Sequence, residues 1–110
     1  MIKKKKFFEL DRVTKFFSLQ SEAINEEYNV IVSILEKDGK LNAPFGEKVN
    51  KKLFAIRVIS SGNVRVFYVY GINDYIYSVH AYVKKSREIP KKELDIAIKI
   101  VKELNKTKLI

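Results

Sequence analysis

Residues 53–83 read LFAIRVISSGNVRVFYVYGINDYIYSVHAYV, and the fold turns on them. β-Branched and aromatic residues dominate three runs, Leu53–Ile59, Val64–Tyr70 and Tyr75–Val83, and such residues favour a pleated, half-buried surface. Ser60-Ser61-Gly62 and Gly71-Ile72-Asn73-Asp74 separate the runs and are natural hairpin turns. The stretch therefore predicts a three-stranded antiparallel meander.

Working upstream, residues 41–52 hold Asn42, Pro44, Gly46 and Asn50 and read as a loop with a basic end, Lys48, Lys51 and Lys52. Before it, Ile24, Tyr28, Ile31 and Leu35 recur at helical spacing, with Ala23, Val30 and Ile34 beside them. They predict a helix from about Ser21 to Lys37, ended by Asp38-Gly39 because glycine readily takes the left-handed conformation after a helix. Asp11 is placed to cap a shorter helix reaching about Leu19 and burying Val13, Phe16 and Phe17. Residues 3–9 suit a first strand with its lysines outward. Downstream, Pro90 suits the first turn of a last helix over about 90–105, with an apolar stripe of Leu94, Ala97, Ile98, Val101 and Leu104. Ile96 and Ile100 lie off that stripe, either as a second apolar face for a partner or because the helix is buried on two sides. The whole is an α+β domain spanning residues 1–110, with the two N-terminal helices and the C-terminal helix against one face of a small antiparallel sheet.

Composition narrows the chemistry. The 110 residues fit one domain, and 46% are hydrophobic, enough for a core. There is no cysteine and a single histidine, His80, so neither a thiolate nor a histidine-rich metal site is expected, and no cofactor is implied. No apolar run approaches the length that spans a bilayer, and no apolar leader segment follows the lysines at the start, so a cytoplasmic protein is expected. Lys and Arg outnumber Asp and Glu by 22 to 13, a formal charge of +9. Such an excess attracts polyanions, and each phosphate neutralised releases counterions. Nucleic acid, an acidic protein or anionic lipid would each satisfy it.

Loop lengths sharpen this. If Ser60-Ser61-Gly62 is a three-residue loop, Arg57 lies opposite Arg65; if Gly71 to Asp74 is a four-residue loop, Arg65 lies opposite His80. Cross-strand partners share a face, so Arg57, Arg65 and His80 form a row, with Tyr82 two residues along from His80. Phe54, Ile56, Val58, Val64, Val66, Tyr68, Val79, Ala81 and Val83 fall on the other face. Like charges facing each other destabilise a sheet by up to about 1 kcal/mol, and an anion between them reverses the sign. The competing expectation pairs the arginines with helix acids such as Glu22, Glu26 or Glu27.

A row of this kind suits phosphodiester chemistry. RNA is cleaved when its 2′-hydroxyl attacks the adjacent phosphate, which requires a proton acceptor, a proton donor and stabilisation of negative charge. Arginine forks suit the last task. His80, or a lysine among other cations, suits proton transfer, and Tyr82 suits stacking or proton transfer. Lys48, Lys51, Lys52, Lys84 and Lys85 are candidates to grip the backbone, or simply a solvated rim. No paired carboxylates with metal-ligand spacing, glycine-rich phosphate loop or nucleophile elbow occur.

The run Lys51-Lys52-Leu53-Phe54-Ala55-Ile56-Arg57-Val58, then Val64-Arg65-Val66-Phe67-Tyr68, then His80-Ala81-Tyr82-Val83-Lys84-Lys85-Ser86, then Ile89-Pro90-Lys91-Lys92-Glu93-Leu94, resembles the HigB-like, phage-derived-protein-like branch of the RelE toxin superfamily. The likeness covers residues 48–105 well and residues 1–40 only in layout. It implies a RelE-like fold and a type II toxin that cleaves mRNA, usually on the ribosome, without a metal, and is neutralised by a cognate antitoxin. It carries over Arg57, Arg65, Lys84 and Lys85, with His80 and Tyr82 as helpers. Two positions depart from the pattern: Ala55 stands where the family usually has glutamate, and Ile89 where it has threonine. A binding module of the same fold without catalysis, and a phage-derived interaction protein meeting an acidic partner, are the rival expectations.

Overall fold

The computed structural model describes residues 3–110; Met1 and Ile2, the start of the segment read above for a leader, lie outside them. The elements run β1 (Lys6–Glu9), α1 (Asp11–Ser18), α2 (Glu22–Asp38), β2 (Gly46–Lys48), β3 (Phe54–Val58), β4 (Val64–Tyr70), β5 (Tyr75–Val83) and α3 (Lys91–Lys106). They build one five-stranded sheet in the order β1-β5-β4-β3-β2. The β3–β4–β5 meander is its centre, as residues 53–83 predict. The sheet is mixed rather than purely antiparallel, because β1 pairs with β5 in parallel. Each strand from β2 to β5 reverses the one before it, so β1 shares its direction with β3 and β5 and runs opposite to β2 and β4.

Local chemistry explains the helix ends. Ser21 accepts from the Ile24 N–H and starts α2, while Gly39 ends it at φ 79°. Asp11 is the first residue of α1 rather than its cap; Leu10 holds the cap position without a side-chain bond. Its charge lies in the first turn, where it complements the positive end of the short helix.

Two apolar layers sandwich the sheet. Val13, Phe17, Tyr28, Ile31 and Leu35 from α1 and α2 pack on Ile56, Val58, Val64, Val66, Tyr68, Ile76 and Ala81. On the opposite face Ala97 and Leu104 of α3, flanked by Leu94, Ile100 and Val101, pack on Leu53, Ala55, Phe67, Val69, Tyr77, Val79 and Tyr82. The helices thus divide between the two faces, contrary to the expectation of one covered face. The strands carry apolar side chains on both sides, so a single helical layer would leave half of them in water. Ile100 belongs to this second layer, so it packs inward.

Residues 41–52 are not wholly loop. Gly46–Lys48 adds a short edge strand antiparallel to β3, with Glu47 opposite Ala55. At the other edge the sheet is closed by an acid: the Phe7 N–H donates to the Glu36 carboxylate at 2.9 Å, and the Lys4 and Lys5 N–H groups donate to the Glu36 carbonyl.

Candidate functional site

The first hairpin has the expected register. Arg57 pairs with Arg65 across β3 and β4. The second does not: Arg65 pairs with Tyr82, and His80 pairs with Phe67. Two one-residue shifts produce the difference. Gly71 already bonds back to the Tyr75 carbonyl, so the turn is Ile72-Asn73-Asp74, with positive φ at Asn73 and Asp74. A bulge then interrupts the ladder at Phe67/Tyr68, where Tyr68 pairs with Ser78 and Phe67 with His80. One slip would turn every later side chain over; two restore the face and move the partner by two residues. Val79, the extra residue, joins the α3 layer instead of the α1–α2 layer.

Arg57, Arg65, His80 and Tyr82 therefore share the face that α3 covers. Arg65, His80 and Tyr82 are buried, with 3%, 7% and 4% of their surface exposed, while Arg57 is half-buried. Arg65 is fixed by donating through Nη1 to the Asn63 side chain at 3.1 Å and to the Val64 carbonyl at 3.2 Å. Arg57 donates through Nη1 to the Pro44 carbonyl at 3.2 Å. The Nε of each arginine and the Tyr82 hydroxyl are buried yet make no hydrogen bond within the chain. A buried polar atom without a partner is costly, and the great majority have one. Three such atoms of hydrogen-bonding side chains on one face form a concentrated set of unused donors.

Electrostatics agree. Burial lowers the Arg65 pKa, and the Arg57 charge lowers it further, against opposition from Glu47 and Tyr82. Arginine remains protonated under such pressure, so the site holds a desolvated cation. Burial likewise raises the Tyr82 pKa, partly offset by Arg65 and reinforced by Glu47 and Glu93, so its hydroxyl stays a donor. Helix acids do not neutralise the arginines. Glu27 instead accepts from the Ile59, Ser60 and Ser61 N–H groups at 2.9, 3.1 and 2.7 Å. Among the described residues the ion pairs are Lys3–Glu36, Lys5–Asp74, His80–Glu93 and Lys91–Asp95.

His80 stands beside the arginine row rather than in it. Its Nε2 lies 2.7 Å from Glu93 Oε1 in the first turn of α3. Its ring lies nearly parallel to those of Phe67 and Tyr82. Of the lysines, Lys84 continues β5, its N–H bonded to the Asn63 carbonyl, so Lys84 and Lys85 stand at the arginine end of the sheet. Lys51 and Lys52 precede Leu53 at the other end of β3, at most roughly 17–20 Å from Arg57 at the usual rise per residue. Lys48 pairs with Phe54 and so projects from the α1–α2 face, apart from the rest.

Two residues near this face escaped the sequence reading. Glu47 lay in a segment read as loop, where the short Gly46-Glu47-Lys48 run carries no strand pattern. Glu93 was part of a quoted motif without a role; a carboxylate three residues after a helix-opening proline was the available signal. Among the described residues no group of three or more His, Cys, Asp or Glu is placed to hold a metal ion. No described helix is long and apolar enough to cross a membrane.

No curated protein matches the chain. A family model described as phage-derived protein Gp49-like (DUF891) matches residues 15–102, which takes in both arginines, His80, Tyr82 and most of α3. With that span matched, and a helix-flanked mixed sheet of the RelE type beneath it, the chain belongs to the Gp49-like family, a RelE/HigB-like toxin family.

Proposed function

We propose that this protein is the toxin of a type II toxin–antitoxin pair and cleaves mRNA, on the ribosome, by metal-independent attack of the 2′-hydroxyl on the adjacent phosphate. The observation that carries the reading is the facing pair Arg57 and Arg65, with both Nε atoms buried and unbonded within the chain. A phosphate held by the two guanidinium groups would convert their mutual repulsion into attraction. The same contacts strengthen as the phosphorus gains negative charge in the transition state, which is what accelerates the reaction.

The remaining residues take supporting roles. Tyr82, a buried hydroxyl opposite Arg65, donates to a phosphate oxygen or the leaving group. Glu93 holds the His80 ring, leaving its Nδ1 as the ring nitrogen free to exchange protons. Lys84 and Lys85 grip the backbone beside the arginines, and Lys51 and Lys52 grip it farther along. The protein acts in the cytoplasm, and its antitoxin silences it by covering this face.

The test is growth arrest on expression, with primer extension to map cuts in cellular mRNA. Wild-type protein arrests growth and cuts mRNA; Arg57→Ala/Arg65→Ala, folded by circular dichroism, does neither. A double variant that still arrests growth would overturn the reading. Salt-sensitive RNA binding without cut products selects the non-catalytic binding module instead.

A further inference from the structure

Glu47 is an acid on the cationic face that none of these roles uses. Its Oε1 is buried without a hydrogen bond, the only carboxylate oxygen in that condition among the described residues. It belongs to no ion pair, although two arginines share its face. Its position follows from the register. Glu47, Ala55, Phe67 and His80 form one cross-strand row, and Arg57, Arg65 and Tyr82 form the next. Ala55 is the smallest member of either row. Its small side chain is all that stands between Glu47 and β4 in that row, and the Glu47 charge raises the pKa of Arg65, as it does that of Tyr82. Glu47 as a whole is half-buried, so the carboxylate is shielded on one side and not closed off.

We propose that Glu47 is the proton acceptor of the cleavage step, a carboxylate supplied from β2 across the gap that Ala55 leaves. This rests on the nuclease reading above. The 2′-oxygen bonds to phosphorus as its proton passes to Glu47. The bond from phosphorus to the 5′-oxygen breaks, and that oxygen takes a proton from water. The products are a 2′,3′-cyclic phosphate and a 5′-hydroxyl end, and Glu47 returns its proton to solvent. His80 is the weaker candidate, because one ring nitrogen is held by Glu93 and the ring lies flat among Phe67 and Tyr82.

Steady-state cleavage of a defined mRNA on translating ribosomes tests this with wild type, Glu47→Gln and Glu47→Ala. Positioned general bases contribute about 10²- to 10⁴-fold, so Glu47→Gln lowers kcat by that factor. KM stays level or falls, because the variant removes a negative charge facing an anionic substrate. Added formate restores part of the Glu47→Ala rate, which a purely structural role would not allow. The proposal is overturned if Glu47→Gln keeps kcat within about threefold of wild type. It is equally overturned if KM rises and melting temperature falls together with kcat while formate restores nothing. Arg57→Ala/Arg65→Ala, run alongside, separates the two claims: an inactive arginine variant beside a fully active Glu47→Gln removes Glu47 alone. Wild-type protein that cuts no mRNA removes both.

Discussion

On the face covered by α1 and α2, polar groups are matched: Tyr28 donates to Glu9 at 2.6 Å, and one carboxylate, Glu27, answers three backbone N–H groups. On the face under α3, the same strands present Arg57 Nε, Arg65 Nε, the Tyr82 hydroxyl and Glu47 Oε1 with no partner in the chain. The Glu27 contacts lie near solvent while Arg65 and Tyr82 are buried, so the unpaired atoms sit where a missing partner costs most. Native structures leave few buried polar atoms unpaired, and those that remain call for a reason. The first face is finished by folding, and the second keeps polar atoms that the proposed substrate would engage.

The largest effect that would break this contrast is on activity. Arg57→Ala/Arg65→Ala should lower mRNA cleavage by about 10³-fold or more, since removing a single charge-stabilising donor already costs on the order of 10²- to 10³-fold. Urea unfolding of the same variant should stay cooperative. Leu35→Ala on the other face should do the reverse. It costs about 2–5 kcal/mol by chemical denaturation while leaving the cleavage rate of the folded protein near wild type. A Leu35→Ala protein that folds but loses activity in proportion would show that the two faces are not separate.

Smaller in size is Glu27→Gln, expected to cost about 0.5–1.5 kcal/mol, because three backbone donors lose a charged acceptor and solvent screens the loss. Its pH dependence fixes the mechanism. Burial pushes the Glu27 carboxyl up, but the Ser60, Ile59 and Ser61 N–H groups outweigh it and leave the pKa below the ordinary 4.5. A carboxylate with a depressed folded pKa contributes stability above its unfolded pKa and loses it as pH falls through the folded value. The gap between wild type and Glu27→Gln in urea should thus be full above about pH 5 and shrink as pH falls below the ordinary carboxyl range. A gap unchanged at pH 3 would rule out the charge as its source.

The smallest effect on stability carries the opposite sign. Arg65→Met keeps the apolar stem but removes a buried cation facing Arg57, so it should abolish cleavage and raise stability by up to about 1 kcal/mol. A destabilised Arg65→Met would mean that the Asn63 and Val64 bonds matter more than the repulsion.

The sequence made some of this legible for identifiable reasons. Arg57 opposite Arg65 followed from one short loop, because a three-residue turn allows one register. The Arg65 partner was misread because its register depends on a turn starting at Ile72 and on a bulge at Val79, an ordinary β-branched residue with no glycine to mark it. The two errors cancelled in face, so Tyr82 and His80 were placed on the correct side beside the wrong neighbours. α3 went to the wrong face because strands apolar on both sides do not say which side a helix takes. Glu47 was missed because three residues are too few to show alternation.

Glu36 has a consequence for how this chain meets others. Sheets grow by recruiting strands at whichever border has free backbone groups. Here the β1 border is plugged by an acid from the chain's own helix and fenced by lysines, which leaves the β2 border as the place where a newcomer can join. A strand arriving there would settle alongside Glu47, so assembly and occupancy of the cationic face would be felt by each other.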